Sequence, residues 1–161
     1  MARPGPSIGQ ERARQIVDDA VARRPEGILL PLRLLVEVLR GWDLPVLSLQ
    51  AVASVADARA AASGMGYPVV LRSPEGAVWA ENSVDLERVW PSYPEIVLHA
   101  SVGPLRPALM WTPSFAAKVA ALRLALPEID DLDLTVEIDG AGRPWIVEAK
   151  AHVRALDPDV D

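Results

Sequence analysis

Residues 131–153 read DLDLTVEIDGAGRPWIVEAKAHV, and this stretch decides the fold. Leu132, Leu134, Val136 and Ile138 alternate with Asp131, Asp133, Thr135, Glu137 and Asp139. A period of two is the pattern of a strand with one buried and one polar face. Gly140-Ala141-Gly142-Arg143 is a turn signal, and Pro144 suits only the start of a following strand. Trp145, Val147, Ala149, Ala151 and Val153 then alternate with Ile146, Glu148, Lys150 and His152. The stretch predicts a β-hairpin with a loop of about four residues.

The register follows from the same alternation. With Asp139 opposite Pro144, Ile138 faces Trp145, Val136 faces Val147 and Leu134 faces Ala149. The two alternating apolar sets then fall on one face, and a slip of one residue would split them. The other face pairs Thr135 with Glu148, Asp133 with Lys150, and Asp131 with His152. Taken alone, that face reads as a solvated sheet surface carrying cross-strand charge pairs.

Working outward, the chain has 161 residues, half of them hydrophobic, which suits one domain or two small lobes sharing a core. It has no cysteine, so neither a disulfide frame nor a thiolate metal site is available. The net charge is −6 with no strong basic cluster, which argues against nucleic acid as a partner. The apolar runs are too short for a membrane span, and the N-terminal residues lack an apolar leader core. A cytoplasmic protein that does not bind membranes is the expectation.

Ser7 and Gln10 form a capping-box pattern that opens a helix with Ile16, Val17, Ala20 and Val21 as its stripe. A second helix starts at Pro31, turns Leu32, Leu35, Val36 and Leu39 inward, and stops at Gly41. Residues 45–52 are predicted to form a short strand. Ser54 and Asp57 cap an alanine-rich helix that Gly64-Met65-Gly66 ends. Pro68 to Arg72 reads as a buried strand ending in a cation, and Ala77 to Ala80 runs back beside it. Asn82 caps a fourth helix, which Pro91 and Pro94 break, and Glu95 to Ala100 is another strand. Residues 108–111 suggest an extended piece, and Thr112-Pro113 starts a fifth helix through Ala125. The five tryptophans look like core or interface anchors. There is no Walker loop, no G-x-G-x-x-G and no Ser/His/Asp arrangement.

Three stretches together resemble the ATP-grasp subunit of NDP-forming acyl-CoA synthetases, relatives of the succinyl-CoA synthetase β subunit. The first is Arg14 to Ala20 followed by Leu34-Leu35 through Pro45-Val46, which is similar to the family's entry helices and first strand. The second, Gly66-Tyr67-Pro68-Val69-Val70-Leu71-Arg72, resembles a GYPVVLK strand. The third runs from Leu126-Pro127-Glu128-Ile129 to Val147-Glu148-Ala149-Lys150 and resembles the family's metal-binding hairpin. The implied fold is α/β (an α+β sandwich): an ATP-grasp-like lobe with helices packed on a mixed sheet and a C-terminal β-hairpin. The implied organisation is a disordered stretch 1–6, a single domain 7–156 lacking most of the family's second lobe, and a tail 157–161.

The resemblance also assigns roles. An Asn and a carboxylate that hold Mg²⁺ in the family map to Thr135 and Glu148, and the phosphate-binding Lys maps to Arg72. Residues 95–103 resemble the strand and hinge that cradle adenine, which makes His99 a nucleotide-binding candidate. Read without the family, His99 is a lone structural imidazole in an apolar strand. Mg²⁺ and ATP are the implied cofactors. The departures are substantial: Thr135 stands for Asn, Val136 for Pro and Arg72 for Lys. The loop that closes over phosphates shrinks to Ser73-Pro74-Glu75-Gly76. Phosphoryl transfer depends on positioning and charge stabilisation, so loss of the clamp should remove catalysis. The expectation is a non-catalytic binding or regulatory module that packs on a protein partner or on a copy of itself. The alternative is an Mg·ATP-binding subunit that completes an acid–thiol ligase in trans.

Overall fold

The structure, a computed structural model, describes residues 5–93 and 95–158. Residues 1–4, 94 and 159–161 fall outside the described residues, and with them most of the stretch 1–6 expected to be disordered, the end of the tail 157–161 and the helix breaker Pro94. Among the described residues, thirteen elements build two lobes, each an antiparallel sheet with its own helices.

The first lobe contains the hairpin. Its strands are β1 (Ile28–Leu29), β6 (Arg106–Pro107), β7 (Ile129–Ile138) and β8 (Pro144–Val153), in the order β1-β8-β7-β6. Helices α1 (Ile8–Arg23), α2 (Leu32–Gly41) and α5 (Pro113–Ala125) supply the apolar side chains that share its core. Ser7 and Gln10 form the expected reciprocal capping box on α1, and Thr112 caps α5 with Pro113 in its first turn. The inward stripe of α2 is as expected, with Leu35, Val36, Val38 and Leu39 buried. Gly41, expected as a stop signal, is instead the last helical residue and a point of close approach. A Cβ there would lie 2.7 Å from the Gly9 carbonyl oxygen of α1.

The second lobe is a contiguous β-α-β-β-α-β run. Its elements are β2 (Gln50–Val52), α3 (Val55–Met65), β3 (Val69–Ser73), β4 (Gly76–Ala80), α4 (Ser83–Val89) and β5 (Ile96–Ala100). The sheet order is β2-β5-β3-β4, so β5 lies between two strands that a helix connects. That insertion makes every ladder antiparallel, so the expected mixed sheet resolves into two antiparallel ones. Ser54 and Asn82 cap α3 and α4 as their sequences predict. Buried Val69, Leu71, Leu86, Ile96 and Leu98 form the second core.

The hairpin register holds where it matters and slips at the turn. Thr135 pairs with Glu148, Asp133 with Lys150 and Leu134 with Ala149, as expected. Beyond Thr135 a bulge intervenes: Val136 pairs with Ile146 instead of Val147, and Ile138 with Pro144 instead of Trp145. The extra residue allows Ile146 and Val147, adjacent in sequence, both to be fully buried. It also brings Trp145 opposite Glu137. The indole Nε1 then donates to Asp139 Oδ2 at 3.0 Å. Asp139 is buried, and its carboxylate also accepts from the backbone N–H groups of Ala141 and Arg143 and from the Arg143 side chain. These bonds, the indole's first, hold its pKa down at about 2.

Other expectations need correction. Only residues 50–52 of the predicted 45–52 strand join a ladder. Pro45 to Leu47 instead meet Ile146 through backbone hydrogen bonds and one isolated parallel bridge. The two-residue β1 was not expected at all, because so short a segment carries no periodicity. The extended piece proposed for residues 108–111 lies earlier, as β6, and Leu109 and Met110 are 100% and 82% exposed. The tryptophans are not deep core residues, with Trp79 and Trp111 each 41% exposed. Trp111 meets Phe115 edge to face at 4.9 Å. No helix among the described residues is long and apolar enough to cross a membrane.

Candidate functional site

The polar face of the hairpin looks into a cleft between the two sheets. The cavity is about 600 Å³, within the range of small-molecule sites. The first sheet contributes Asp133, Thr135, Glu148 and Lys150, and the second contributes Arg72, Ser73 and Val97. Leu30, Leu32 and Leu49 supply apolar wall. The arrangement follows from strand periodicity: odd-numbered residues of β7 and even-numbered residues of β8 share the face away from the core up to the bulge.

Within the cleft, Thr135 Oγ1 donates to Glu148 Oε2 at 3.3 Å. The two residues read from the sequence as a metal pair are therefore in contact, and both are exposed. Among the described residues, no group of three His, Cys, Asp or Glu side chains is placed to hold a metal ion. A magnesium ion here would take two oxygens from Glu148 and Thr135 and the rest from ligand and water, which is how this hard cation is commonly held.

Arg72 sits at the seam. Its Nη1 and Nη2 donate to the two carboxylate oxygens of Glu137 at 3.1 and 2.9 Å. The side chains are only 9% and 16% exposed, so this bidentate pair is largely removed from water. The guanidinium Nε donates to His99 Nε2 at 2.8 Å, and His99 Nδ1 lies 2.9 Å from the Ala100 carbonyl oxygen. Those contacts require a neutral imidazole with its proton on Nδ1. Burial, chiefly, and the adjacent guanidinium hold His99 below the usual histidine range.

Three of the four candidates, Arg72, Thr135 and Glu148, thus line one cavity. The fourth, His99, is fully buried and touches Arg72. Sequence reasoning missed Glu137 as the partner of Arg72, although the alternation had placed it on the same face as Thr135. It also treated Lys150 as half of a charge pair with Asp133. The two are opposite each other, yet no ion pair joins them among the described residues. His152 stands opposite Asp131 as expected, but its side chain does not contact that residue. A register shift frees Asp130, whose Oδ1 lies 2.7 Å from His152 Nδ1.

A comparison with protein-family profiles gives no match, and no curated protein matches the chain in sequence. Solved structures do match. PH1788 from Pyrococcus horikoshii Ot3 aligns over 91% of this chain and 100% of its own, with a TM-score of 0.60 and 14% identity. The ADP complex of purK, N5-carboxyaminoimidazole ribonucleotide synthetase, aligns over 73% of this chain and 43% of its own, with a TM-score of 0.52 and 15% identity. A RimK domain ATP-grasp protein from Sphaerobacter thermophilus DSM 20745 aligns over 73% and 56%, with a TM-score of 0.46 and 17% identity. The chain therefore spans the whole of the first and about half of each of the others. The likeness is one of fold, and the fold is that of an ATP-grasp-like lobe.

Proposed function

We propose that this chain is a nucleotide-binding module of ATP-grasp type, related to the subunits of NDP-forming acyl-CoA synthetases, that does not complete a ligation by itself. The observation that carries this reading is the cleft between the two sheets, where Arg72, Thr135, Glu148 and Lys150 converge from both walls. A structural neighbour that aligns over 73% of this chain is an ADP complex. In this reading the polyphosphate lies between the sheets, and Glu148 and Thr135 give oxygens to its magnesium ion.

The non-catalytic part rests on the connection between β3 and β4. Only Pro74 and Glu75 separate the two strands, too little backbone to fold over a triphosphate. Without such a cover the transferring group stays hydrated and loosely placed. Calorimetric titration with Mg·ATP tests the nucleotide reading. Saturable binding weakened by Glu148→Ala supports it. Absence of heat and of any thermal shift at millimolar nucleotide sinks it.

A second reading has the chain completing a ligase in trans. It is favoured by Leu109 and Met110, apolar and exposed on the segment leading into α5. Reconstitution with a CoA-binding subunit, followed by an assay for ADP release, distinguishes it from the first.

A further inference from the structure

We infer that the two cations lining the cleft have divided roles: Lys150 meets the ligand's anionic groups, while Arg72 positions the walls of the cleft. This rests on the reading of the cleft as a polyphosphate site and assigns its recognition chemistry. It reverses the expectation that Arg72 contacts phosphate.

The geometry separates the two residues. Arg72 is committed on three nitrogens, two to Glu137 and one to His99. An anion that recruited it would have to displace a carboxylate only 16% exposed, leaving that charge with poor solvation and no partner. It would also leave the Nε2 of a fully buried imidazole without its donor. Lys150 has neither constraint. It is exposed, lines the same cavity, and has no hydrogen bond or ion pair among the described residues. Its flexible stem carries three unused donors on a compact charge. It also lies on β8 two residues from Glu148, on the same strand face. An anion held by Lys150 therefore lies beside the oxygens that would share its magnesium ion.

The test uses the full chain and two probes, Mg²⁺·ATP and Mg²⁺·tripolyphosphate. Lys150→Ala should weaken both by roughly tenfold or more, the effect of one lost charge-assisted hydrogen bond. Lys150→Arg should restore most of that loss, and the melting temperature of both variants should match the wild type. The second measurement is the ¹⁵N resonance of His99 Nε2, with His152→Gln used for assignment. If Arg72 stays on His99, the signal does not move when either probe saturates the cleft.

An affinity for tripolyphosphate unchanged by Lys150→Ala overturns the inference. A His99 Nε2 signal that shifts on binding overturns it as well, because Arg72 would then have left for the ligand. Tripolyphosphate binding with no ATP binding, lost in Lys150→Ala, sinks the nucleotide reading and supports the division of roles. Binding of neither probe overturns both.

Discussion

Arg72 and Glu137 join the second sheet to the first through two nearly parallel hydrogen bonds, at 3.1 and 2.9 Å. The residues are 65 positions apart and come from β3 and β7. The pair is largely desolvated, so removing one member should cost far more than removing both. Glu137→Ala is expected to lose about 3 kcal/mol, because a guanidinium is left without its counter-charge. The double change Arg72→Met/Glu137→Leu should lose less than the single one. Urea denaturation of the single and double variants measures the difference. A double loss equal to the sum of the two single losses would show that the pair carries no coupling.

His99 gives the fold a dependence on acid. Its folded-state pKa is depressed, by burial first, so the unfolded chain binds the extra proton more readily. Its contribution is fully present above the unfolded value near 6.5 and is lost as pH falls from there through the depressed folded value. Stability measured from pH 7 downward should decline over that window in the wild type. In His99→Gln, whose amide oxygen can still accept from Arg72, this part of the decline should disappear.

Asp139 titrates in a different window. Its carboxylate is held at about 2 by the Trp145 indole first and by the Arg143 backbone next. The stabilisation is present above the ordinary aspartate range and is lost as pH falls through about 2. Asp139→Ala should lower the melting temperature at neutral pH and change the emission of Trp145, which loses its acceptor. A Trp145→Phe background identifies that emission among the other tryptophans. Unchanged melting in Asp139→Ala would remove the turn's carboxylate from the list of structural determinants.

Two glycines should respond oppositely to the same substitution. Gly41→Ala places a methyl group 2.7 Å from the Gly9 carbonyl oxygen, where two helix backbones meet. Overpacking of that kind costs about 1–3 kcal/mol. Gly64 lies near the end of α3 with nothing within 4 Å of the added carbon. Gly64→Ala should stabilise by about 0.5–1 kcal/mol through helix propensity and a less flexible unfolded chain. Parallel thermal melts check both signs.

Much of the fold was legible because its signals are local. Ser7, Ser54, Asn82 and Thr112 mark helix starts by side-chain chemistry at a fixed spacing, and each one caps the predicted helix. Alternation from Asp131 to Thr135 fixed the pairing of Thr135 with Glu148. The bulge at Val147 was not legible: Ile146 and Val147 are both apolar, so alternation alone assigns one of them to the wrong face. Partners distant in sequence were also invisible. Nothing near Arg72 points to Glu137, and the ion pair exists only once two sheets have packed. For the same reason the contact of Thr135 with Glu148 could be read from β7 and β8 alone, whereas the partners of Arg72 needed the other wall of the cleft.

The strand order also dictates when each lobe can form. All four strands of the second sheet lie within residues 50–100, so that lobe can close on a short, uninterrupted segment. The first sheet cannot, since β1 at residues 28–29 pairs only with β8 at 144–153. Its N-terminal helices must wait for the last hairpin, across a loop long enough to make closure entropically unfavourable. On a ribosome the inner lobe is complete while the outer one is still open. The cleft is therefore the last feature to be assembled, and pulse-labelled hydrogen exchange should find β3 and β5 protected before β1 and β8.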